Sequence, residues 1–305
     1  MASKTAKTSA AFGILCIICQ YSGFALTSET LIVTSITCGC IGLLLGLAAI
    51  YSDRKGHWTA KLGIGLASIS AFWWMFFFPQ FRSVRESQLR TETCERFNAI
   101  ALALHAFIAD NKQKRLPPGS LRDKTGQPLL SWRVLVLPYL GRKDLYLKFK
   151  MDEPWDSEHN AKLLSCMPNI YAPPKEALAA REEYSTFCQV FVGPGTAFGC
   201  PDGCRFPQDF VSVSNTILLV EAGSAVPWTK PEDVSYSPIR PLPRLGALHD
   251  HETASLFFSV TKTFCIAWGD GRVTYMFFED QNAAEQSLRA AITRDGKDIG
   301  DWYWR

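Results

Sequence analysis

The chain has 305 residues, a net charge of +3, and 47% apolar against 20% charged residues. Five basic and two acidic residues fall in positions 1–81, which leaves 27 of each sign from Arg82 onward. A neutral second part without a basic stripe excludes nucleic acid as the expected partner, and its 224 residues are enough to bury a full core.

Three apolar stretches, 10–26, 31–51 and 62–81, occupy the first part. A helix rises about 1.5 Å per residue and the hydrocarbon core is roughly 30 Å thick, so about 20 apolar residues cross it. The three are predicted to be transmembrane helices in contact with the lipid bilayer, an anchor over 1–81 followed by one large domain over 82–305. Trp73, Trp74 and the Phe run of the third supply an interfacial aromatic belt. Gln20, Tyr21 and Ser22 interrupt the first, and a cleaved signal peptide is its alternative reading. Lys4 and Lys7 precede the first stretch, Glu29 lies in the next link, and Arg54, Lys55 and Lys61 lie in the one after. Basic residues favour the cytoplasmic side. The amino terminus is therefore expected inside and the large domain outside, and the large domain stays outside if the first stretch is a cleaved signal. Arg82, Arg85 and Arg90 pull the other way.

The large domain reads as helices first and strands later. Over Arg82–Asn111 the apolar positions Phe97, Ile100, Ala101, Leu104, Phe107 and Ile108 recur at three- and four-residue spacing, which predicts one long helix. Lys112–Gln127 reads as a polar loop. Shorter helices are predicted at Trp132–Leu140, Lys143–Lys150 and Ser157–Cys166, the last capped by Ser157. The period then changes to two. Strands are predicted at Thr186–Val192, Thr216–Glu221, Ser255–Val260, Thr263–Trp268 and Arg272–Phe278, with turns at Thr261-Lys262 and Gly269-Asp270-Gly271. A helix over Asn282–Ile292 follows. A long helix packed on a late antiparallel sheet is an α+β arrangement, and it is the plan of a type IV pilin or pseudopilin.

Several blocks are specific in their local wording. Leu130–Leu140 is followed by Asp152–Asn160, Met167–Tyr171, Gly193–Phe198, Asn215–Ala222, Val226–Asp233, Leu245–His249 and Gly269–Val273, with Cys94–His105 ahead of them. In that order they resemble the large bacterial family called domain of unknown function 1559, over about 82–300. The resemblance implies a pilin-like ectodomain on a bacterial cell membrane, usually behind a prepilin-type leader, with no established biochemical activity. Two departures stand out. The nearest echo of the prepilin signal, Gly23-Phe24 with Glu29, follows an apolar stretch and not a basic stub, which favours a fixed multi-span anchor. The family pattern places Asp-Gly about nine residues after a His, whereas His249 and Asp270-Gly271 stand 21 positions apart here.

Six cysteines lie beyond the apolar part: Cys94, Cys166, Cys188, Cys200, Cys204 and Cys265. An even number fits an oxidising compartment, although six permit 15 pairings. Cys200 and Cys204 are the expected local bridge, because the intervening Pro-Asp-Gly is turn chemistry. His249 and His251, with Asp270, form the best metal-like set; a polar loop and a hairpin turn are the simpler reading. Trp132, Asp152, Trp155 and Trp228 are the candidate carbohydrate-binding residues; core packing is the simpler reading of scattered tryptophans.

These features predict a non-enzymatic, multi-pass membrane protein without a cofactor, whose pilin-like extracytoplasmic domain contacts envelope proteins or pilin-like assembly partners. An extracytoplasmic carbohydrate-binding module is the first alternative. A metal-dependent hydrolase centred on His249 and His251 is the second.

Overall fold

The chain divides into two units, Met1–Glu86 and Ser87–Arg305. The computed structural model describes residues 87–174, 183–246, 262–278 and 288–296, all in the second unit. The three apolar stretches, the strand expected at Ser255–Val260, and His249 and His251 lie outside the described residues. Among the described residues no helix is long and apolar enough to cross a membrane.

Helix α1 covers 87–110 of the described chain. Thr93, Phe97, Ile100, Ala101, Leu104 and Ile108 are buried, a stripe at the spacing that an amphipathic helix requires. Burial of each large apolar side chain in this stripe contributes about 1.5–3 kcal/mol. The stripe shares one core with Leu218, Leu219, Cys265 and Ala267 of the main sheet, so α1 lies on one sheet face.

The region read as a polar loop holds a hairpin instead. Strand β1 (Ser120–Arg122) pairs antiparallel with β2 (Pro128–Ser131). Asp123 Oδ1 closes the turn by accepting from the Thr125 and Gln127 amides, each at 2.8 Å. The helix expected at Trp132–Leu140 is split. Helix α2 (Trp132–Leu135) is capped by Ser131, and a 3-10 turn at Leu137–Leu140 follows. Pro138 has no N–H to continue an α-helix, which explains the break. Helix α3 is confined to Lys143–Tyr146, and residues 160–166 form a 3-10 helix rather than an α-helix. The Ser157 hydroxyl does accept from the Asn160 amide at 3.1 Å, as a cap would.

The main sheet is antiparallel in the order β3-β5-β7-β8, from β3 (Ser185–Gln189), β5 (Ile217–Pro227), β7 (Lys262–Trp268) and β8 (Val273–Phe278). The strand expected at Thr186–Val192 ends at Gln189. The next pair of residues, β4 (Phe191–Val192), leaves the sheet to pair parallel with β6 (Val234–Ser235). Side chains alternate along β7. Cys265 and Ala267 face the α1 core, whereas Phe264, Ile266 and Trp268 enter a second core with Ile217, Val220 and Met276. Leu288, Ala291 and Ile292 of helix α4, described over 288–292, belong to that second core. A register shift between Ile217 and Leu219 puts Leu218 and Leu219 on the same face, the signature of a bulge. The described domain is thus an α+β fold whose sheet is covered on both faces.

Candidate functional site

The four residues expected to bind carbohydrate are not gathered into an exposed platform. Trp132 and Trp228 are wholly buried. The Trp228 indole N–H donates to the Leu164 carbonyl at 2.9 Å, and its ring stacks on Tyr171 at 5.9 Å. Trp132 donates to an Asp233 oxygen at 3.2 Å. Both indoles bury a large apolar area and find a partner for their one polar atom, which is what a core tryptophan needs. Trp155 is half-buried with the Lys230 ammonium 5.7 Å from its ring centre, and Asp152 is exposed nearby in sequence.

Asp270 serves the β7–β8 turn. Its Oδ1 accepts from the Arg272 amide at 3.0 Å and its Oδ2 meets the Arg272 guanidinium at 2.9 Å. Gly271 sits at φ 90°, a conformation that glycine adopts without strain. His249 and His251 lie outside the described residues, and among the described residues no group of three His, Cys, Asp or Glu is placed to hold a metal ion. Cys200 and Cys204 form a disulfide, as the Pro-Asp-Gly turn predicts. The bridged turn is stitched to the chain after α1: the Leu116 amide donates to the Cys204 carbonyl at 2.9 Å, and Arg115 to the Gly203 carbonyl at 2.7 Å.

Three polar arrangements emerge that the sequence did not point to. The first is an ion pair in the core. Arg133 and Asp233 have side chains 0% and 2% exposed and meet at 2.6 Å. Arg133 also donates to the Cys188 carbonyl at 2.9 Å and to the Ser131 hydroxyl at 2.7 Å. Asp233 Oδ1 accepts from the Val190 amide at 3.0 Å and from Trp132. Burial raises the Asp233 carboxyl to about 6, against the lowering by Arg133, the Val190 amide and the Trp132 indole. Asp233 thus draws a guanidinium, an amide N–H and an indole N–H onto one oxygen. Its capture of the Val190 N–H is the reason that β3 stops and β4 turns away. One sequence signal was available: a single Arg inside the apolar run Leu130–Leu140 needs a buried partner.

The second arrangement lies under the first turns of α1. Cys94 and Cys265 bring their sulfurs to 3.9 Å. Cys265 is buried, and its amide donates to Glu221 Oε2 at 3.1 Å. Cys188 on β3 is the register partner of Glu221 on β5, and Tyr275 on β8 is the register partner of Cys265 on β7. A thiol, a carboxylate, a second thiol and a phenol thus cross four neighbouring strands in one row. The hydrogen bond with Cys265 lowers the Cys94 thiol, whereas burial raises the Cys265 thiol and lifts Cys188 to about 12. The contact spans 171 positions, so no local pattern announces it.

The third is His105 on α1. Its ring packs edge-on against Phe206 at 5.6 Å and lies beside the Gly269–Gly271 turn. Burial lowers its pKa, with Asp270 and the Gly269 backbone opposing, and Nε2 has no partner among the described residues.

A family model described as a protein of unknown function (DUF1559) matches residues 82–204. No curated protein and no solved structure matches the chain. The matched segment runs from just ahead of the described part of α1 to the second disulfide cysteine. The blocks at Asn215–Ala222, Val226–Asp233, Leu245–His249 and Gly269–Val273 lie beyond it.

Proposed function

We infer, from the premise that the chain belongs through residues 82–204 to the family of unknown function DUF1559, that it is a membrane-tethered interaction protein. In this reading positions 1–81 anchor it in a bacterial cell membrane with the amino terminus cytoplasmic. The domain that follows stands outside the cytoplasm, has a pilin-like plan, and works by contact with envelope proteins or pilin-like assembly partners without catalysis. The observation that carries the reading is α1. It follows the apolar stretches in sequence and buries a stripe from Thr93 to Ile108 against an antiparallel sheet. A helix used in this way joins a tether to a folded head.

The deciding experiment is protease digestion of spheroplasts carrying the full chain with an epitope at Arg305. Loss of the epitope without lysis is the expected result. Protection until lysis sinks the extracytoplasmic reading. Cross-linking in intact cells then identifies neighbours, with a specific envelope protein as the expected product. The hydrolase reading around His249 is judged by metal content of the purified chain. Stoichiometric metal that disappears in His249→Ala and His251→Ala displaces the non-catalytic proposal.

A further inference from the structure

A helix that joins a tether to a head must resist being pulled off the sheet. Phe97, Ile100, Leu104 and Ile108 supply apolar contacts for the later turns of α1. Earlier on the helix the sheet beneath is different: Cys265, Glu221 and Tyr275 replace aliphatic side chains, and Cys94 faces them. Thiol sulfurs 3.9 Å apart are in van der Waals contact, and a shift of about 2 Å brings them to bonding distance.

We propose that Cys94 and Cys265 form a reversible disulfide that fastens α1 to β7. The two partners differ as an exchange reaction requires. Cys94 is half-buried and reachable, whereas Cys265 is enclosed. Its exposure makes Cys94 the sulfur that an external disulfide meets first. The oxidant is an exchange-active disulfide. The Cys94 thiolate attacks one of its sulfurs, a mixed disulfide forms, and the other sulfur departs as a thiolate. Cys265 attacks Cys94 Sγ and passes its proton to the thiolate that departs. The Cys94–Cys265 bond forms as the mixed disulfide breaks and releases a second thiolate. Two electrons pass from the cysteine pair to the reagent, and two protons end on its two thiols. Cys188 lies on β3, two strands from β7, and the sulfur that meets Cys94 is that of Cys265.

In the cell the bond rests on the extracytoplasmic reading, which supplies the oxidant; its chemistry does not. The test uses the full chain in detergent, reduced with dithiothreitol and then placed in a glutathione redox buffer. Remaining thiols are alkylated and the peptides mapped without reduction. The expected product links the Cys94 and Cys265 peptides. The wild-type chain should also melt about 10 °C above Cys94→Ser in the same oxidising buffer, because the bond closes a very long loop. Alkylation of both thiols, glutathione retained on Cys94, or a link from Cys94 to Cys166 or Cys188 overturns the proposal. Rapid alkylation of cells separates the two readings, with Cys200–Cys204 as the reporter of compartment. If both pairs are reduced there, the localisation fails while the link formed in the redox buffer stands. If Cys200–Cys204 is bonded and Cys94 and Cys265 are free, the disulfide itself is refuted.

Discussion

Arg133 and Asp233 offer the sharpest energetic test of this fold. Arg133→Met keeps the length of the stem and removes the guanidinium. Asp233 is then left with the Val190 amide and the Trp132 indole as donors and no opposite charge. Asp233→Asn keeps an acceptor for those two donors and strands a buried guanidinium instead. Breaking a buried pair from one side costs about 3–5 kcal/mol, so each single change should cost that much. The double variant removes both charges. Its remaining loss is the contacts of Arg133 with the Cys188 carbonyl and the Ser131 hydroxyl. At about 1–3 kcal/mol for a buried group left unmatched, the double variant should be no less stable than either single one. The coupling is then several kcal/mol, far outside the few tenths expected for independent sites. Urea unfolding of the full chain in detergent, followed by tryptophan fluorescence, measures all four corners, and Trp132 itself reports on the site. Single costs below about 1 kcal/mol, or costs that simply add, would refute the reasoning.

Other outcomes follow from the same geometry. His105 is held below its ordinary pKa by burial. The unfolded chain therefore takes up this proton first as pH falls, and the stability tied to neutral His105 is lost below about pH 6.5. His105→Gln should flatten the acid side of the stability profile relative to wild type, measured by thermal melts between pH 5 and 8; unchanged slopes in that range count against the assignment. Replacing Cys200 and Cys204 by Ser opens a small loop and should cost about 2 kcal/mol in denaturant unfolding. The same replacement should loosen the Leu116 amide in hydrogen exchange, because its acceptor is the Cys204 carbonyl.

How much of this was legible depends on the range of the force involved. The stripe on α1 is periodic, and Phe97, Ile100, Ala101, Leu104 and Ile108 are all buried as the spacing predicts. The Cys200–Cys204 bridge was legible because its turn is local. The break after Gln189 was not, since Asp233, 43 positions after Val190, causes it. The β1–β2 hairpin was missed because its strands are short and its polar composition reads as loop. Asp123, whose side chain organises the turn, was the available signal. Composition alone does not say whether an indole packs or binds. Trp132 and Trp228 are buried and Trp155 is not, a difference set by neighbours such as Tyr171 and Phe149.

The polar row under α1 has a consequence for dynamics. The turn around Thr93 and Cys94 rests on Cys265, Glu221 and Tyr275, with the Arg90 guanidinium 6.0 Å from the Tyr275 ring centre. The turns from Ile100 to Ile108 rest on aliphatic and aromatic side chains. Local opening is governed by how much apolar contact must be given up, so the helix should open from its amino-terminal side. In the reduced chain, amides of 93–98 should exchange measurably faster than those of 102–108. A bond between Cys94 and Cys265 would slow the first set toward the second and leave the second unchanged. Equal protection along the reduced helix would show that the row beneath Cys94 holds α1 as firmly as the apolar core does. The reason for placing a covalent link at that turn, and not nearer Leu104, would then be gone.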